Sequence, residues 1–111
     1  MTVYARRAAQ APPDLHALIT ARVTALAGTG IGELRLTPYQ RGTTRFWCVM
    51  ALGVDRREVP LPQGAPRRLS DALREAFPAA RWDRAQDYDV RSGILTEHVI
   101  VLPEILKGSV L

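Results

Sequence analysis

Early in the chain, apolar residues recur at Leu15, Leu18, Ile19, Val23 and Leu26. Spacings of three and four put them on one stripe of a helix. Asp14 stands at the N-cap position after Pro12-Pro13, and Gly28 with Gly30 supplies the stop. The period then changes. Glu33-Leu34-Arg35-Leu36-Thr37 alternates strictly, as a half-buried strand does, and Pro38 closes it. Gln40-Arg41-Gly42-Thr43 reads as a turn. From Thr44 to Val54 runs the longest apolar strand, with Phe46, Cys48, Met50 and Leu52 on one face and Trp47, Val49 and Ala51 on the other. A strand apolar on both faces is expected at the centre of a sheet, covered on both sides.

Residues 55–64 form a loop around Pro60 and Pro62. A second helix follows, with Leu69, Ala72, Leu73, Ala76 and Phe77 as its inner stripe and Pro78 as its end. The stretch 82–90 predicts a polar strand on which Trp82, Tyr88 and Val90 share a face. Ser92-Gly93 turns the chain, and 94–102 predicts a final apolar strand. The predicted fold class is α+β: two helix–strand–strand units (αββαββ) forming one antiparallel four-stranded sheet with both helices on one face. The predicted domain covers 14–103, with a flexible N-terminal tail at 1–13 and a C-terminal tail at 104–111.

The two halves are loosely alike. Each is a helix, a polar strand ending in tyrosine (Tyr39, Tyr88), a turn (Arg41-Gly42-Thr43, Arg91-Ser92-Gly93) and an apolar strand. Four shared features suggest an internal duplication and also arise by chance. Duplication places the apolar strands side by side at the centre and the polar strands at the edges, in the order first, second, fourth, third. One face of the central strands, carrying Trp47, Val49 and Ala51 or their opposites, is then left uncovered. An apolar sheet face left open predicts an interface, and a homodimer through the sheet is the simplest form of it.

Length and composition narrow the rest. The 111 residues fit a single domain, and 47% hydrophobic with 23% charged residues is ordinary for a soluble globular chain. No apolar run reaches the roughly 18–20 residues of a membrane-spanning helix. One cysteine closes no intrachain disulfide and builds no thiolate zinc cage. The net charge is +4, and fourteen of the fifteen basic residues are arginine, a skew that GC-rich coding also produces. Segment 1–13 carries Arg6 and Arg7 but no acid, serine or continuous apolar run, which fits a tail better than a transit or secretory signal. The expected location is cytoplasmic.

Few residues suggest catalysis. His16 falls off the apolar stripe of the first helix, which predicts a solvated side chain. His98 and Cys48 lie on strands predicted to be neighbours, where the pair could activate a thiolate; packing is the simpler role for both. Asp83, Asp87 and Asp89 share a strand face, where carboxylates bind a hard cation or keep an edge strand from unwanted pairing. The phosphate-loop, dinucleotide, nucleophile-elbow and zinc-helix patterns do not occur, and Gly28-Thr29-Gly30-Ile31-Gly32 follows a helix instead of opening one. Neither a metal nor a cofactor is expected.

The remaining constellation is arginine. Arg56-Arg57 and Arg67-Arg68 flank the proline loop, and Arg41 and Arg45 flank the first hairpin. Arg67 and Arg68 fall in the first turn of the second helix, where the dipole disfavours cations by a few tenths of a kcal/mol each. That placement suits a partner anion, unless solvent or Asp55, Glu58 and Asp71 offset it. The functional expectation is a small non-catalytic binding or adaptor protein, dimeric through its sheet, that recognises an anionic or protein partner with its arginine-bearing loop. The alternative is a small nucleic-acid-binding protein using the same arginines on phosphates. Against the alternative stand the absence of helix-turn-helix spacing and an aromatic content of 6%.

Overall fold

The computed structural model describes residues 7–98, in the order β1 (Ala8–Gln10), α1 (Pro13–Ala27), β2 (Ile31–Arg41), β3 (Thr44–Gly53), β4 (Glu58–Val59), α2 (Ala65–Ala76), β5 (Gln86–Asp89) and β6 (Ile94–Glu97). The strands form one antiparallel sheet in the order β1-β6-β5-β2-β3-β4. The α+β class with two helices holds. The four-stranded αββαββ description does not, because β1 and β4 extend the sheet to six strands.

The predicted strand order is also overturned. The alternating strands β2 and β5 pair at the centre, Leu34 opposite Tyr88 and Arg35 opposite Asp87, while the two apolar strands are kept apart. The reason lies in the two faces of these strands. Inside, Leu34, Leu36 and Tyr88 are fully buried, with Leu95 of β6 beside them. Outside, Arg35 Nε donates to Asp87 Oδ1 at 2.7 Å, so the charges of the polar strands compensate one another across the pair. A sheet covered on one side only needs one apolar face in its central strands.

Both helices contribute to a single core on that inner face, through Ile19 and Val23 of α1 and Leu69 and Leu73 of α2. Leu18 is turned outward and 58% exposed, so the predicted stripe of α1 is wider than the face it buries. Asp14 lies in the first turn of α1, where its charge complements the dipole, and makes no side-chain cap. Two tryptophans pin the segment after α2 to the sheet. Trp47 Nε1 donates to the Trp82 carbonyl and Trp82 Nε1 to the Phe77 carbonyl, each at 2.9 Å. The expected strand 82–90 is consequently short: Trp82 sits in a loop, and β5 begins only at Gln86.

Segment 1–13 is not a tail throughout. Ala8–Gln10 form edge strand β1 on β6, and Ala11 is buried; residues 1–6 lie outside the described residues. The predicted last strand is β6 up to Glu97, and residues 99–103 and the predicted tail 104–111 also lie outside them. Pro38 does not close its strand. β5 accompanies β2 only along Glu33–Leu36, so the missing N–H of Pro38 costs no ladder bond on that side.

His16 is not solvated. Its Nε2–H donates to the Val90 carbonyl at 2.8 Å, tying α1 to the β5–β6 turn, and its ring lies under Gly93. Gly93 has φ +74°, and a Cβ there would come within 2.9 Å of the ring. Gly93→Ala is therefore expected to lower stability by about 2 kcal/mol through backbone conformation and contact, measured by urea unfolding; a parent-like midpoint would contradict this packing.

Tyr88 gives a second check. Its hydroxyl is buried without a hydrogen-bond partner among the described residues, and burial, with a smaller contribution from Asp89, pushes it up to about 12. An unfolded tyrosine ionises near pH 10. As pH rises from about 10 to 12 the unfolded chain loses this proton while the folded chain keeps it, so stability falls across that window. Tyr88→Phe should remove that alkaline loss in unfolding titrations. At pH 8 it should match or exceed the parent by up to about 1 kcal/mol, because an unpaired buried hydroxyl is deleted.

Candidate binding surfaces

Among the described residues, the helices cover one face of the sheet and no helix covers the other. Trp47, Val49 and Ala51, the expected dimer interface, lie on the helix-covered face: Ala51 is buried in the core, and Arg74 of α2 stacks over the Trp47 ring at 4.0 Å. The opposite residues of β3 form the open strip. Cys48 is exposed, Met50 and Phe46 are 37% and 41% exposed, and Leu52 is half-buried. Beside this strip, the centre of the open face is charged. Arg35 is held by Asp87, Glu33 Oε2 lies 3.9 Å from its Nη2, and His98 Nδ1 lies 2.9 Å from Asp87 Oδ2. The carboxylate of Asp87 raises the Arg35 guanidinium further above its ordinary value.

This arrangement separates the suspected catalytic pair. β2 stands between Cys48 on β3 and the His98 ring, which reaches Asp87 of β5. The three aspartates also part company. Asp87 and Asp89 face outward from β5, whereas Asp83 lies in the preceding loop, where its ion pair with Arg81 draws its carboxyl below the usual range. Among the described residues no group of three His, Cys, Asp or Glu side chains could hold a metal ion.

The arginines sort into two populations. Arg35, Arg74, Arg81 and Arg84 lie against acids. Arg41, Arg45, Arg56, Arg57, Arg67 and Arg68 are all exposed and have no ion pair among the described residues, and the same holds for Arg7, Arg22 and Arg91. The second population does not form one patch. Arg41 and Arg45 flank the β2–β3 turn, whereas Arg56 and Arg57 follow the other end of β3, roughly 27 Å of strand away. Arg67 and Arg68 belong with the latter, because α2 ends with Arg74 over Trp47 and so begins toward the far end of β3. Asp55, one acid expected to offset them, is engaged by the backbone N–H of Arg57 at 3.1 Å; another, Asp71, is bound to Arg74.

The β2–β3 hairpin itself projects. Beyond Leu36 no strand accompanies β2 on its outer edge, and β4 accompanies β3 only at Ala51 and Leu52, so both flanks of residues 38–47 are free of strand partners. On the open side of this arm Tyr39 and Phe46 stack across the two strands, with ring centroids 5.5 Å apart and planes 24° apart. Tyr39 is 48% exposed. Sequence reading missed this pair because Pro38 appeared to end the strand before Tyr39 reached it. A separate, mainly apolar cavity of about 340 Å³ lies between the end of α2 and β6, lined by Phe77, Pro78, Ala80 and Leu95 with the buried Gln86 and Glu97.

Compared with known proteins, the chain matches no family model, no curated protein and no solved structure. Nor is any helix among the described residues long and apolar enough to cross a membrane.

The two arginine populations should separate in a stability series. Arg35→Ala is expected to cost roughly 1–2 kcal/mol, because it removes a charge-assisted bond from the middle of the sheet. Arg56→Ala and Arg67→Ala should stay within about 0.5 kcal/mol of the parent. Melting temperatures falling equally in all three would place the loop arginines in the framework instead of on a binding surface.

Proposed function

We propose that the protein is a small cytoplasmic, non-catalytic binding or adaptor protein that holds an anionic partner on exposed arginines and self-associates through the open face of its sheet. The observation that carries the reading is that Arg41, Arg45, Arg56, Arg57, Arg67 and Arg68 are exposed and without an ion pair among the described residues, as are Arg7, Arg22 and Arg91, whereas Arg35, Arg74, Arg81 and Arg84 lie against acids. Arg56, Arg57, Arg67 and Arg68 gather at one end, two of them in the first turn of α2, where an anion also relieves an unfavourable dipole interaction. That end suits an acidic protein surface. The homodimer uses Cys48, Met50 and Leu52 in place of Trp47, Val49 and Ala51, which face the helices. Burying this strip against a second copy takes apolar side chains out of water on both sheets.

The second reading, phosphate binding on a nucleic acid, is favoured at the hairpin end alone, where Arg41 and Arg45 accompany two exposed aromatic rings.

A fluorescein-labelled oligoglutamate peptide tests the first reading by anisotropy. Replacing Arg56, Arg57, Arg67 and Arg68 by Ala should weaken binding at least tenfold at low salt with the melting temperature unchanged; unaltered affinity would remove this surface from the proposal. In sedimentation velocity, Met50→Glu should convert dimer to monomer. A parent chain that sediments as a monomer would remove the dimer.

A further inference from the structure

We propose that the projecting β2–β3 arm is a binding site for single-stranded nucleic acid, in which Tyr39 and Phe46 stack on an unpaired base and Arg41 and Arg45 hold the flanking phosphates. The inference rests on reading those two arginines as an anion site and adds the ligand class. Four observations on the arm point to it. The stacked rings remain 48% and 41% exposed. Arg41 follows Tyr39 by two residues on the same strand, so it stands on the same face about 7 Å farther along. Arg45, one residue before Phe46, reaches the opposite side, where it lines a groove of about 160 Å³ with Pro38, Tyr39, Gln40 and Asp83. Lastly, no acidic residue occurs between Glu33 and Asp55. Asp83 is the one carboxylate at the groove, and it is ion-paired to Arg81.

An acidic protein surface would satisfy the arginines but has no need of two aromatic faces, whereas every nucleobase offers a flat π-surface. Duplex bases are already stacked on one another, and two guanidiniums neutralise few phosphates, so an unpaired strand fits the arm better than a duplex. Gln40, Thr43 and Thr44 line the remainder of the tip with groups that can donate to phosphate or base edges.

The test is anisotropy of fluorescein-labelled oligothymidylate with the full chain at low salt, with duplex DNA of equal length and inorganic polyphosphate as competitors. The expected result is single-strand binding at least tenfold tighter than duplex binding. Tyr39→Leu and Phe46→Leu, which keep apolar bulk on the arm, should each weaken it by about tenfold, the effect of losing one base-stacking ring. Phe46→Trp should retain parental affinity, which separates loss of a ring from loss of the fold. Arg41→Ala with Arg45→Ala should flatten the log–log salt dependence by about 0.7 per phosphate released, whereas Arg56→Ala with Arg67→Ala should leave it unchanged. Leucine variants that bind as the parent does, or polyphosphate displacing the strand as well as an oligonucleotide of equal charge, would overturn base stacking while leaving an anion site at Arg41 and Arg45. Failure of oligothymidylate and polyphosphate alike would overturn both.

Discussion

The pairing of β2 with β5 is the contact on which the rest of the molecule depends. It joins the hairpin that follows α1 to the hairpin that follows α2, and it sets both faces of the sheet together. On the inside it aligns Leu34 and Leu36 with Tyr88, and the helices close over that row. On the outside it brings Arg35 to Asp87 in the middle of a solvent-facing sheet. A slip of one residue would turn Leu34, Leu36 and Tyr88 to water and the ion pair into the core, so the register is strongly specified.

From that centre, the peripheral features follow. With two alternating strands in the middle, the doubly apolar β3 is displaced toward an edge, where α2 covers only its inner side. Phe46, Cys48, Met50 and Leu52 are left on the open face as a consequence of topology. Because β5 is only four residues long, β2 and β3 outrun it and become an arm. The same geometry that builds the core therefore produces an apolar strip beside the sheet and an aromatic pair beyond it. The two halves differ at their matched tyrosines: Tyr88 is wholly buried on the inner face, while Tyr39 is exposed on the arm.

The arginine pattern shows how local charge and tertiary placement combine. Arg35 and Arg56 are the same residue type in one polypeptide, yet one is fixed between Asp87 and Glu33 and the other stands free of ion pairs among the described residues. What separates them is whether strand pairing delivers a carboxylate to the guanidinium. Arg41 and Arg45 form no ion pair among the described residues, because the arm leaves the sheet before an acid-bearing strand can lie beside it.

Much of the local structure was legible in the chain. The stripe from Leu15 to Leu26 located α1, Leu69 to Phe77 located α2, and the alternation around Glu33 and the apolar run from Thr44 located β2 and β3, since side-chain periodicity is a property of neighbours along the backbone. The exposure of Arg41, Arg45, Arg56, Arg57, Arg67 and Arg68 was legible too, as that of residues no core position requires. Strand order was not, because it depends on which partner satisfies each face, and a polar strand finds its carboxylate or its arginine only in space. The same limit applied to His16, whose acceptor is 74 residues away, and to the uncovered side of β3, which only the position of α2 decided. The sequence by itself determined the elements and the charges; tertiary structure decided which of them meet, because burial and ion pairing act between residues that the chain holds far apart.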